Sequence, residues 1–182
     1  MSPLGWIHLI FAFVAMGSGA VVLLRPKGTR WHRTWGHLFV TSMIGLNGTA
    51  LAIYDLLGHF GPFHVFALIS LGSVLVGMAC VLFRWPKGSW IEHHAGWMAG
   101  AYMGLMAAFV AETSTRLIMP ALAPYLEGAG WAVFWSVVAV ASLSTIGVGV
   151  WLIRTRMEEA VENTPAAMRR EREELKAASG AG

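Results

Sequence analysis

Five long apolar stretches, separated by short polar segments, dominate the hydropathy pattern of this chain. They run over about 4–24, 36–57, 64–83, 95–119 and 131–153. Each approaches or exceeds the ~20 residues that a helix needs to cross a bilayer core. Because a spanning segment must satisfy its own backbone polar groups, helices are the expected form. The pattern predicts an all-α integral membrane protein, with a transmembrane domain over 1–153 and a polar tail over 154–182.

The first four stretches resemble two copies of one helical hairpin. Stretches one and two are joined by a turn containing Pro26–Gly28, and stretches three and four by a turn containing Pro86–Gly88. Since each hairpin crosses the membrane twice, both copies keep the same orientation and are related by an axis along the membrane normal. We predict a four-helix transmembrane bundle of two similar helical hairpins plus a fifth transmembrane helix.

Positive charge is concentrated at one end of this predicted bundle. Of the 13 Lys and Arg residues, all but Arg116 follow stretches one, three or five. Cytoplasmic segments of membrane proteins collect Lys and Arg, which places the N-terminus outside and the C-terminus in the cytoplasm. The net charge of +3 follows from this arrangement and needs no nucleic acid to explain it. The lipid bilayer is the expected partner.

Four of the seven histidines occupy matched positions in the two hairpins. His8 and His64 open stretches one and three at the outer face, whereas His32 and His94 precede stretches two and four at the inner face. In an up-down bundle, helices one and three are diagonal neighbours, as are two and four. Two diagonal imidazoles can hold a haem b, because histidine is a haem ligand. We therefore predict one His-paired site per face, and the two haems together would form an electron path across the membrane.

Interfacial placement is the alternative interpretation for each of these histidines. The amphipathic imidazole suits the headgroup region and can bond open helix ends. His37, His59 and His93 are assigned to that role. Within the stretches, Asn47 is expected to bond a neighbouring helix, and the spacing of Gly96, Gly100 and Gly104 predicts close helix contact.

A second group of ionisable residues lies near the outer end of stretch four. Glu112 and Arg116 are four residues apart, and charged side chains at membrane depth are costly enough to suggest a function. Arg116 is a candidate partner for a haem propionate. Glu112 together with His8 and His64 would alternatively suit zinc, which accepts histidine and carboxylate ligands. Glu112 and Arg116 are also placed to pair with each other.

Two function classes follow from these residues. The first is a b-type haem protein that carries electrons and exchanges them with a membrane redox partner or a quinone. The second is a non-redox membrane protein, either with a zinc site or as a small transporter or structural subunit without a cofactor. The chain has no phosphate-binding loop, no dinucleotide fingerprint and no HExxH or CxxC motif, so no enzyme activity is assigned.

Two segments carry a resemblance to a known family. The run Lys27–Gly36 resembles a K-G-T-x-x-H-R-x-x-G signature, and His94–Tyr102 resembles H-x-x-W-M-x-x-x-Y. The chain is similar from about Gly5 to Met119 to an uncharacterised family of small bacterial multi-span membrane proteins. This chain departs from the family pattern at Ala95, where the family usually has arginine, and at Phe39, where it favours tyrosine. The resemblance implies a bacterial inner-membrane location and the same architecture, but no established activity.

Overall fold

Helices make up the regular structure of the part of the chain that the computed structural model describes, namely residues 2–54, 58–126 and 128–162 with Arg170 and Glu173. The helices are α1 Pro3–Leu24, α2 Arg30–Ala52, α3 Pro62–Phe83, α4 Trp90–Leu122 and α5 Gly130–Glu162. A short 3-10 helix, Ala123–Tyr125, lies between α4 and α5. The predicted all-α membrane fold is confirmed for these residues. The predicted tail lies mostly outside them.

Capping residues at the turns determine where the helices begin. The Ser2 side chain accepts a hydrogen bond from the Gly5 N–H at 3.1 Å, and proline follows it in the first turn of α1. Thr29 accepts from the His32 N–H at 3.1 Å and starts α2 at Arg30. Because side-chain acceptors satisfy open N–H groups, such residues favour a helix start. The predicted start of the second apolar stretch, residue 36, therefore falls inside α2.

The packing order of the helices places the predicted pairs on diagonals. α1 packs against α2 and α4, and α3 packs against the same two helices. α1 and α3 are thus diagonal, as are α2 and α4. A buried cluster fills the middle of the bundle: Ala15, Phe39, Met43, Leu46, Val74, Ala101 and Leu105. α5 packs on α4, outside the four-helix core.

The outer surface of the bundle is apolar, as a lipid-facing surface must be. Among the described residues, four helices are long and apolar enough to cross a membrane: α1, α3, α4 and the segment Gly130–Trp151 of α5. Only 6% of the most apolar window of α5 is buried, which agrees with its position outside the core. α2 has 23 residues but is less apolar and is not among these four.

Two packing expectations differ from the structure. The Asn47 side chain is buried but donates to the Met43 carbonyl at 2.8 Å, within its own helix rather than to a neighbour. A Cβ atom placed on Gly96, Gly100 or Gly104 would meet nothing within 4 Å. These glycines therefore do not form the close contact that their spacing predicted. The spacing of glycines along the sequence does not show which face of α4 turns toward another helix.

Candidate functional site

The two inner histidines meet between α2 and α4. Their ring centroids are 6.4 Å apart, with the ring planes at 77°. His32 and His94 lie at the end of the bundle formed by the turns 25–29 and 84–89, which we call the basic end. A metal bound by two imidazole nitrogens separates those nitrogens by about 4 Å, twice a metal–nitrogen bond length. Ring centroids 6.4 Å apart are close enough for one metal to join the two imidazoles.

The hydrogen bond of His94 fixes its tautomer. Its Nδ1 lies 2.8 Å from the Gly77 carbonyl oxygen of α3, and a carbonyl can only accept, so Nδ1 carries the proton. Nε2 then keeps its lone pair and can bind a metal. Histidine ligands in metal sites commonly hold their other N–H in this way.

Gly77 makes this hydrogen bond possible because it lacks a side chain. A Cβ atom at Gly77 would lie 2.7 Å from the Met98 sulfur and 3.3 Å from the Trp97 Cβ. α3 and α4 therefore approach closely at this point, and the carbonyl reaches His94. Met98, one helical turn after His94, fills the space beside the glycine.

The other inner histidine has an open nitrogen. The Nδ1 of His32 is buried and has no hydrogen-bond partner in the structure. Buried polar nitrogens are normally satisfied, so an open one calls for a ligand or an ordered water. The turn before α2 positions this ring: Gly28 adopts φ 74°, which favours glycine, and Thr29 binds the His32 N–H.

Lys27 secures the end of α1 in the same turn. Its Nζ donates to three carbonyl oxygens: Val22 at 2.8 Å, Leu23 at 2.6 Å and Arg25 at 3.1 Å. A cation at a helix C-terminus is favoured by the helix dipole. Partial burial lowers the pKa of this amine. The K-G-T segment thus ends one helix, turns the chain and starts the helix that carries His32.

Tyr102, two helical turns after His94, connects α4 to α1 and α2. Its hydroxyl donates to the Met16 carbonyl at 3.3 Å, and its ring lies 6.1 Å from that of Phe39. A Cβ atom on Gly19 would collide with this ring. The motif residues His94, Met98 and Tyr102 therefore all bind neighbouring helices on one side of α4.

At the opposite end of the bundle, the His8 ring is protonated on Nδ1, which leaves Nε2 able to bind a metal. Its Nδ1 lies 3.0 Å from Thr49 Oγ1. That hydroxyl is within 2.9 Å of the Gly45 carbonyl and 2.8 Å of the Leu46 carbonyl, which engage its only proton. The His8 Nδ1–H is therefore the donor to Thr49. Its Nε2 keeps a lone pair.

His64 has the reverse arrangement. Its Nδ1 accepts the Gly61 N–H at 3.1 Å, so the ring proton is on Nε2. That Nε2 is buried without a partner. The Tyr54 and Phe60 rings lie 4.5 and 5.0 Å from the imidazole. In this state His64 caps α3 and offers a donor, not a lone pair.

The other predicted outer-site residues do not join His8 and His64 into one cluster. Arg116 donates twice to Glu112 Oε1, at 3.0 and 2.6 Å, and both side chains are exposed. In the described chain, no ring contact joins His8 to His64, and no three His, Cys, Asp or Glu side chains are placed to hold a metal ion.

The remaining histidines have local partners or lie at the surface. The Nδ1 of His93 lies 2.9 Å from the Ser89 carbonyl, that of His59 lies 3.0 Å from the Phe60 carbonyl, and His37 is exposed. Sequence reasoning missed Gly77 and Thr49. A backbone carbonyl leaves no residue-type signal, and a threonine inside an apolar helix resembles ordinary packing.

Comparison with known proteins identifies the family. Residues 5–145 match the family described as predicted membrane protein (DUF2306), so the chain belongs to it. The expected resemblance to an uncharacterised membrane family is thereby confirmed. No curated protein and no solved structure matches the chain.

Proposed function

We propose that this DUF2306 member is a membrane b-type haem protein that carries electrons, with a haem held between His32 and His94. The observation that carries the proposal is that these two imidazoles, from diagonal helices, lie with their ring centroids 6.4 Å apart. His94 has the tautomer of a ligand, and His32 has a buried nitrogen without a partner. Both features suit axial ligation of a haem iron.

The number of ligands favours haem over zinc. A porphyrin supplies four nitrogens, so the protein needs to contribute only two axial ligands. A structural zinc site takes four protein ligands, and a catalytic one takes three. The described residues bring together two at the basic end and no group of three at either end. A haem bound by His32 and His94 would supply a one-electron redox couple at that end of the bundle.

The outer pair receives less support for the same role. His8 has an available Nε2, but the capping bond of His64 leaves that ring without a free lone pair. Ligation by His64 would require the loss of its bond to Gly61 and a change of tautomer. We therefore confine the proposal to one haem, and a second site at His8 and His64 stays a prediction.

Membrane orientation sets which compartment the haem serves. We infer an N-terminus outside, a C-terminus in the cytoplasm and a bacterial inner-membrane location from the charge pattern and the family. His32 and His94 then lie near the cytoplasmic face. A quinone or a second membrane redox protein is the proposed electron partner.

Absorbance of the purified protein tests this function. After expression with haem available, we expect a Soret band that shifts when dithionite is added. Alanine at His32 or His94 should abolish most of the haem content, because either change removes one of two axial ligands. Alanine at His37 or His93 should leave the haem content intact, since both side chains are exposed.

Other outcomes would assign the protein to another class. Colourless protein that does not bind added haem contradicts the proposal. Stoichiometric zinc in such a protein would favour a zinc site, and its absence would favour a transporter or structural subunit. Full haem content in both His32→Ala and His94→Ala would remove these residues from the site.

A further inference from the structure

A buried donor without a partner lies one helical turn before His94 in α4. The Trp90 side chain is 5% exposed, and its Nε1–H makes no hydrogen bond in the structure. Indole nitrogen is only a donor, so its missing partner must be an acceptor. Burying an unpaired N–H is costly, and a bound ligand would remove that cost.

The position of Trp90 relates it to the proposed haem ligand. It is the first residue of α4 and precedes His94 by four residues. Residues four apart are neighbours on one helix face, so Trp90 lies one turn nearer the basic end than His94. The open N–H groups at a helix start favour a negatively charged ligand group.

The surrounding charges point to the same kind of ligand. Lys27 lies in the turn before α2, and Arg33 directly follows His32 in the first turn of that helix. Lys27 donates to the last carbonyls of α1 and contributes charge alone, whereas the Arg33 side chain is exposed at the basic end. The first turn of α4 contains one acidic residue, Glu92. Positive charge therefore outweighs negative charge near the pair.

We propose that Trp90 Nε1–H and the Arg33 guanidinium bind a carboxylate of the ligand held by His32 and His94. This inference rests on the proposed function, for which the carboxylate is a haem propionate. It also assigns a direction, since the carboxylates of the ligand must face the basic end rather than the apolar middle of the bundle. The predicted propionate partner Arg116 is instead bonded to Glu112.

Two porphyrins that differ only in their carboxylates test this inference. Haem and haem dimethyl ester are titrated separately into the apoprotein in detergent, and affinity is measured from the Soret band. Losing a hydrogen bond to a charged group corresponds to about a 10- to 100-fold weaker affinity. We expect Trp90→Phe and Arg33→Gln to weaken haem binding by roughly this factor. Neither substitution should weaken binding of the ester.

The control variant is Trp31→Phe, an exposed tryptophan at the same end of the bundle. It should bind both porphyrins like the wild type. Equal losses for haem and ester in both Trp90→Phe and Arg33→Gln, or no loss for haem, would overturn the carboxylate assignment alone. A wild-type protein that binds neither porphyrin would overturn the haem proposal as well. Trp90→Phe changes a buried side chain and could alter the local packing. Arg33 is exposed, so Arg33→Gln tests the carboxylate assignment without that change.

Discussion

At the scale of single residues, Gly77 links helix packing to the histidine pair. Alanine there would press against Met98 and Trp97, at 2.7 and 3.3 Å. We expect Gly77→Ala to lower the free energy of unfolding by about 1–3 kcal/mol, the usual cost of overpacking. It should also reduce haem content, because the carbonyl that orients His94 must move.

Gly72 in the same helix provides the matched control. A Cβ atom on Gly72 meets nothing within 4 Å, so Gly72→Ala should be neutral or stabilise by up to about 1 kcal/mol. Unfolding in detergent, followed by circular dichroism, measures both variants. Equal effects of the two substitutions would mean that the helices do not approach closely at Gly77.

His8 and His64 allow a second prediction at this scale. If they shared a cofactor, as the sequence predicts, their effects on stability would be strongly non-additive. Their different partners, Thr49 and Gly61, favour independent roles. We expect the two alanine substitutions to add within about 0.5 kcal/mol in a double-mutant cycle. A coupling energy well above that value would restore the shared outer site.

At the scale of helices, the turn before α2 sets the position of His32. Thr29→Ala removes the acceptor of the His32 N–H and should cost about 1 kcal/mol of stability, the typical value for an N-cap. Thr41→Ala, an exposed position inside α2, should have a much smaller effect. Thermal unfolding of the two variants measures the difference. If Thr41→Ala costs as much as Thr29→Ala, the cap has no special role.

The helices also show what the sequence could predict. Apolar length predicted the helices, and the matched positions of His32 and His94 predicted that these rings would face each other across a diagonal. The tautomers could not be predicted, because they depend on partners such as the Gly77 carbonyl that leave no pattern. The burial of Trp90 was missed as well, since tryptophan near a membrane boundary is expected at the interface. Each of these features depends on how a helix is oriented about its own axis, which the sequence pattern does not fix.

At the scale of the whole molecule, the topology depends on whether α2 crosses the membrane. α2 is less apolar than its neighbours, because Arg30, His32 and Arg33 occupy its first turn. It nevertheless packs between α1 and α3 and has 23 residues, about 35 Å at the helical rise of 1.5 Å per residue. That length is sufficient to cross the ~30 Å hydrocarbon core. We therefore predict that α2 crosses and that the chain spans the membrane five times.

Reporters inserted into the turns of the intact protein test this topology. Insertions after Gly28 and after Gly88 should report the cytoplasm, and insertions after Gly58 and after Gly128 the outside, because consecutive helices cross in opposite directions. If α2 lay along the membrane surface, the insertion after Gly58 would report the same side as that after Gly28. That result would place His32 and His94 at opposite faces of the membrane, and the proposed haem site could not form.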